Sequence, residues 1–321
     1  MESDYRQRGS KAAAFTDEQL QSAVDEALEL GRQAASKGTV ATYIPELGKA
    51  RPEAVGLYIV TDDGRKFKAG DTGIHFTMQS VSKVISLAMA LEVRGADEVF
   101  RHVGMEPSGE AFNSIVELDF QRNMPYNPMI NSGAITVESL IIDYKPFDDM
   151  LDFARKICMD PEITLNRQVY LSEMATCDRN RAIAYLLKSK GVITTNVDQS
   201  IELYTKMCSI NVTAHSLANL GLLLANGGID PLTKERLIKP ETAKIIKTIM
   251  LTCGMYDGSG QYAVEVGIPT KSGVGGGLLA VAGTDMGIGS YGPALDEKGN
   301  SYAGKVMLKY LVDKLKLHIF D

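Results

Sequence analysis

From about residue 77 to about residue 226 the chain reads as one helical segment after another, and strand-like runs lie on both sides of that block. The helical candidates are 80–94, 133–142, 147–158, 168–189, 196–208 and 213–225, punctuated by Gly, Pro and Asn. Before them, residues 55–60 and 65–68 flank Asp62-Asp63-Gly64, which predicts a hairpin. After a further helix near 240–251, the stretches 261–266, 277–282 and 286–289 are expected as strands, and 301–316 as a closing helix. Strand chemistry at both ends of a helical middle points to an α/β (α+β) fold with a mainly antiparallel sheet flanked by helices. Residues 1–74 and 231–321 would build the sheet subdomain and 75–230 an inserted helical subdomain. A cleft at their seam is the natural place for a site serving one catalytic unit.

At the start of the first long helical run stands Gln79-Ser80-Val81-Ser82-Lys83, followed by the apolar Val84–Leu91 and then Gly95. A helix beginning near Ser80 would put Ser80 and Lys83 on one face. The hydroxyl would meet unpaired N–H groups at the positive end of the helix dipole. A buried lysine beside it loses its proton readily and can act as the base that activates the serine. A Ser-x-x-Lys arises roughly once by chance in a chain of this size, so alone it is equally a capped helix start. The second informative stretch is Lys271-Ser272-Gly273-Val274-Gly275-Gly276-Gly277, whose backbone lies open to a ligand. An N–H there, with that of Ser80, would form an oxyanion hole.

Composition closes off other classes. With 321 residues and 45% hydrophobic content, the chain can bury a large core. A formal net charge of −6 and the absence of any Lys/Arg stripe argue against nucleic acid or an anionic membrane as partner. No apolar stretch reaches the length of a membrane span, and the polar start Met1-Glu2-Ser3-Asp4 is unlike a secretory signal. Four scattered cysteines and four scattered histidines make no metal pattern and suit a reducing, cytoplasmic setting. Thr16 and Gln19 form a capping-box pair ahead of an amphipathic helix.

A Ser-x-x-Lys, a helical insertion and a late Lys-Ser-Gly follow the order of parts in serine β-lactamases and D,D-peptidases. The closer resemblance is to serine-dependent glutaminases of the β-lactamase-like fold, above all their shorter bacterial members. It is carried by Tyr43-Ile44-Pro45-Glu46-Leu47, Gln79-Ser80-Val81-Ser82-Lys83, Asn127-Pro128-Met129-Ile130-Asn131-Ser132-Gly133-Ala134-Ile135, Ser172-Glu173-Met174-Ala175-Thr176-Cys177-Asp178-Arg179-Asn180, Leu224-Ala225-Asn226-Gly227-Gly228, Cys253-Gly254-Met255-Tyr256-Asp257 and Lys271-Ser272-Gly273-Val274.

The resemblance implies Ser80 as nucleophile, Lys83 as base, Tyr256 as the tyrosine relaying a proton to the leaving ammonia, and the N–H groups of Ser80 and Val274 as the oxyanion hole. It implies Tyr43, Gln79, Asn131, Glu173, Asn180 and Tyr204 around free L-glutamine, no metal or organic cofactor, and a homodimer or homotetramer. The substrate's chemistry agrees: an α-ammonium needs a carboxylate, which Glu173 offers, and an α-carboxylate needs donors. In a continuous helix over 168–189, Glu173 and Asn180 would sit two turns apart on one face. On the residues alone, Asn131 also reads as a helix cap and Tyr204 as core. His75 invites a Ser-His reading that a Ser-x-x-Lys site does not need. A penicillin-binding or β-lactam-hydrolysing enzyme of the same fold is the alternative.

Overall fold

The computed structural model describes residues 11–109, 114 and 124–321, so the polar start of the chain lies outside the described residues. Its main elements run α1 (Asp17–Ala35), β1 (Gly56–Thr61), β2 (Lys66–Gly70), α2 (Ser82–Arg94), α3 (Asn131–Ile141), α4 (Arg167–Thr176), α5 (Asp178–Ser189), α6 (Val197–Cys208), α7 (Ala214–Ala225), β3 (Thr270–Ser272), β4 (Gly277–Ala282), β5 (Met286–Tyr291) and α8 (Tyr302–Leu315).

The five strands make one antiparallel sheet in the order β2-β1-β5-β4-β3. The early hairpin and the late strands join where β1 pairs with β5, with Leu57 opposite Ser290 and Ile59 opposite Ile288. Both faces are covered, and β1, β4 and β5 are buried along their whole length. This explains why 277–282 is a continuous apolar run with no alternation.

Helices α1 and α8 cover one face of the sheet. Thr16 caps α1 through the Gln19 N–H at 3.3 Å, and the Gln19 side chain returns the bond to the Thr16 N–H at 2.9 Å. Such a cap contributes about 1 kcal/mol, and each fully buried Leu or Val roughly 1.5–3 kcal/mol. Packing of Leu20, Val24 and Leu28 against the sheet and α8 therefore fixes the helix, and the cap sets where it starts.

Helix α7 lies directly on the backbone of the other face. A Cβ on Gly287 would stand 1.9 Å from the Ala218 carbonyl oxygen, and one on Gly289 1.9 Å from that of Ala214. Both approaches exclude any side chain.

The structure departs from the sequence reading in three places. Residues 261–265 of the strand expected over 261–266 belong to a helix, Ser259–Glu265, which buries Tyr262 against Thr270 and leaves Val264 80% exposed. Six residues are too few for periodicity to tell the two apart. The helical middle also contains short strands, with Ile210–Val212 paired to Phe76–Thr77 and to Thr164–Leu165.

Third, 168–189 is two helices, because Cys177 leaves helical geometry at φ −90°, ψ 19°. The Met174 carbonyl freed at the break accepts from the Cys177 thiol at 3.2 Å and from Arg181 at 3.3 Å. Glu173 on α4 and Asn180 on α5 thus approach the site from different helices.

Candidate active site

Ser80 sits in a 3₁₀ turn, Gln79–Val81, and α2 begins at Ser82. The hydroxyl therefore stands just ahead of the helix that carries Lys83. Beyond it α2 is buried from Ser82 to Leu91 and stops at Gly95 with φ +78°. Gln79 has φ +49°, a left-handed conformation that costs a non-glycine residue on the order of 1 kcal/mol. Tyr256 is a second such residue, at φ +54°. Strain of this kind persists only where the surroundings fix it, and here it brackets Ser80.

Lys83 is 2% exposed, and its amine donates to the Asn131 side-chain oxygen at 2.7 Å and to the Met129 carbonyl at 3.2 Å. Burial lowers its pKa to about 8, opposed by Cys208 and Glu173. The loop 127–130 explains how these acceptors arise. The Asn127 side chain accepts from the N–H groups of Met129 and Ile130, at 2.9 and 3.3 Å, and folds the loop onto itself. Gly133 allows this, since a Cβ there would stand 1.9 Å from the Asn127 carbonyl oxygen. Asn131 opens α3 but does not cap it, as Ile130 occupies the N-cap without a side-chain bond. Its amide turns instead to Lys83 and, through Nδ2, to the Asn180 side-chain oxygen at 3.0 Å.

Glu173 is 6% exposed and accepts from Gln79 Nε2 at 3.4 Å. Burial raises its pKa to about 7, with Gln79 and Lys83 pulling it down. Tyr204, on α6, is 4% exposed, packs with Ala134, Ile201 and Cys208, and lies near Glu173 and Tyr43. Its ring centroid also lies 5.9 Å from the Lys83 amine. Tyr43 leaves 58% of its surface open, yet burial of its hydroxyl end raises its pKa, with Tyr256 and Glu173 adding to the shift.

Tyr256 is buried and its pKa is raised above the usual phenol value by burial, against the pull of the Ser80 and Ser272 hydroxyls and the Val274 N–H. Val274 packs with Tyr256, Ile44, Leu47 and Val169. An open cleft of about 430 Å³ shares Leu47, Val169 and Val274 with that cluster but is lined by none of Ser80, Lys83, Asn131 or Glu173. His75 lines this cleft, exposed.

All the residues singled out by sequence except His75 thus converge on Ser80 or on its immediate neighbours. Sequence gave no signal for the Met129 carbonyl as a lysine acceptor, nor for the left-handed backbone at Gln79 and Tyr256. The arrangement offers a buried serine hydroxyl at a tyrosine, a readily deprotonated amine one turn further along the chain, a buried carboxylate for a cation, and amides for an anion.

Comparison with known proteins places this site in context. The family model described as Glutaminase matches residues 38–320. Glutaminase 2 of Clostridium perfringens is 52% identical over 297 residues, covering 91% of this chain and 97% of that protein. The glutaminase of Alkaliphilus oremlandii is 48% identical over 305 residues, 94% of this chain and 100% of its own. Among solved structures, the probable glutaminase ybaS superposes with a TM-score of 0.91 at 37% identity, covering 96% of this chain and 100% of that one. A probable glutaminase from Bacillus subtilis complexed with 6-diazo-5-oxo-L-norleucine gives a TM-score of 0.85 at 37% identity, over 95% and 97% of the two chains.

Proposed function

The chain belongs to the glutaminase family, and from that premise we propose how its own side chains hydrolyse the side-chain amide of free L-glutamine to L-glutamate and ammonia. Lys83, in its neutral form, takes the Ser80 proton as the hydroxyl attacks the δ-carbonyl. The oxyanion is held by the N–H groups of Ser80 and Val274. Tyr256 hands a proton to the departing ammonia, leaving a γ-glutamyl ester on Ser80. Water, deprotonated through the same Lys83–Tyr256 pair, then frees glutamate and restores the hydroxyl.

Glu173, held by Gln79, pairs with the substrate's α-ammonium. Asn131 and Asn180 read its α-carboxylate, with the hydroxyls of Tyr43 and Tyr204. One observation carries this assignment: Lys83, one turn on from Ser80, is 2% exposed and donates to the Asn131 side-chain oxygen and the Met129 carbonyl rather than to a carboxylate, and this burial lowers its pKa to about 8. At neutral pH a useful fraction of such an amine is free to act as base.

The enzyme is further proposed to act in the cytoplasm as a homodimer or homotetramer, with the sheet and helical parts meeting at the site as one catalytic unit. The four free, buried cysteines suit a reducing compartment, and among the described residues no helix is long and apolar enough to cross a membrane. Release of ammonia and glutamate from L-glutamine by wild type and by Ser80→Ala tests the reading. Activity in the first and its loss in a folded second is expected. An active Ser80→Ala would overturn it.

A further inference from the structure

Among the described residues, two side-chain hydrogen bonds join α2 to α3. In one, the Lys83 amine donates to Asn131 Oδ1 at 2.7 Å. In the other, the Ser86 hydroxyl donates to Glu138 Oε1 at 2.5 Å, with Ser86 1% and Glu138 2% exposed. Ser86 stands one turn past Lys83 on α2, and Glu138 two turns past Asn131 on α3, so both bonds lie on one face of each helix. The Ser80 mechanism uses the first bond and gives the second no part.

Glu138 is an unusual group to place there. Its Oε2 is buried with no hydrogen-bond partner among the described residues, and only burial and the Ser86 hydroxyl act on the carboxyl. No counter-charge reaches it from the elements packed against α3, which are α2, α5, α6 and the helix Ala96–His102. Their charges that are not exposed are engaged elsewhere. Lys83 is held by Asn131 and Met129, Arg94 and His102 lie against Glu98, Lys206 against Glu202, Arg181 against Met174 and Asp178, and Glu92 against Thr242. The buried Tyr204 and Cys208 of α6 stay neutral, because burial raises their pKa values. An ionised carboxyl with one donor and no counter-charge is strongly disfavoured in such a place, and the neutral acid far less so. Burial accordingly raises the Glu138 pKa to about 8.

We propose that Glu138, as a neutral acid, is a positioning residue for the Ser80 reaction: bonded to Ser86 it keeps α3 seated on α2 with Asn131 at Lys83, and its ionisation draws solvent between the helices, parts that pair and turns the reaction down in alkaline solution. The inference rests on the reading of Lys83 as the base. In wild type, kcat/KM for L-glutamine should pass through a maximum and fall again at alkaline pH. Glu138→Gln keeps an acceptor for the Ser86 hydroxyl and cannot ionise. Its kcat/KM should stay within about threefold of wild type at neutral pH and exceed it on the order of tenfold at about pH 9.5, with no alkaline fall.

Removing the bond should act without any change of pH. Glu138→Leu is expected to lower kcat/KM at neutral pH by about tenfold, a loss that Glu138→Gln does not share. Circular dichroism at each pH and thermal denaturation check that every protein is folded. If Glu138→Leu is not, Ser86→Ala breaks the same bond from α2 and takes its place. The proposal is overturned by a wild type with no alkaline fall, by a fall that tracks loss of fold, by a fall that Glu138→Gln leaves unchanged, or by wild-type kcat/KM in the bond-breaking variant. A fully active Lys83→Ala would remove the base reading and this inference with it. An inactive Lys83→Ala beside an unchanged alkaline fall in Glu138→Gln would remove the inference alone.

Discussion

The Lys83 amine donates to Asn131 Oδ1 at 2.7 Å, and Asn131 Nδ2 donates onward to Asn180 Oδ1 at 3.0 Å. The proposed base and the two proposed readers of the substrate's carboxylate form one hydrogen-bonded chain across α2, α3 and α5. Removing its middle should disturb both ends. Asn131→Ala is expected to raise KM and lower kcat, each by about tenfold or more, whereas Asn180→Ala should act chiefly on KM. Steady-state kinetics with L-glutamine decide it; a pure KM effect in Asn131→Ala would contradict the shared role.

Two ionisations shape the acid limb of the pH profile. In the proposed mechanism Lys83 must lose its proton, with a pKa lowered to about 8, and Glu173 must be ionised, with a pKa raised to about 7. Both requirements make kcat/KM climb as pH rises through this range, with a limiting slope of about two below it. Glu173→Gln removes one of them. Its slope should drop to about one while KM rises by roughly tenfold or more, since a neutral amide replaces the partner of the ammonium. A slope unchanged by this substitution would count against the pairing.

Glu138 sits on α3 at 2% exposure and accepts from the Ser86 hydroxyl of α2 at 2.5 Å. Burial raises its pKa to about 8. The native state thus holds this proton more tightly than the unfolded chain does. The stability this lends is present at low pH and is lost as pH rises from the ordinary carboxyl range through about 8. Urea unfolding at pH 5 and pH 9 should show a smaller drop in Glu138→Gln than in wild type. Equal drops would show that Glu138 is not the source.

Substitution at the helix–sheet contact tests packing alone. Gly289→Val must place carbon where the Ala214 carbonyl oxygen already stands. A destabilisation of about 3 kcal/mol or more is expected, read as a lowered Tm or as insoluble protein. A variant melting within about 2 °C of wild type would mean that α7 shifts at little cost.

Much of this was legible in the chain. The hairpin, the late strands 277–282 and 286–289 and most of the helices follow from turn residues and apolar runs, because local chemistry decides them. The site was legible through ordered motifs, since Ser-x-x-Lys and Lys-Ser-Gly mean little apart. The failures share a cause, which is that tertiary contacts overrode local pattern. Tyr262 turned 261–266 helical by finding Thr270, and the Met174 carbonyl found Arg181 and so let the helix break at Cys177. The left-handed Gln79 and Tyr256 carry no signature at all, being residues that disfavour the conformation they adopt.

The break at Cys177 also bears on how the enzyme gauges a ligand. Were α4 and α5 a single rod, Glu173 and Asn180 would lie a fixed two turns apart, about 10 Å along one axis, and only a change of residue could alter their spacing. A corner makes that spacing a matter of angle. Small rotations about Cys177 would open or narrow the gap between the groups proposed to greet the amino end and the acid end of the ligand, like the legs of a pair of calipers, while leaving each leg intact.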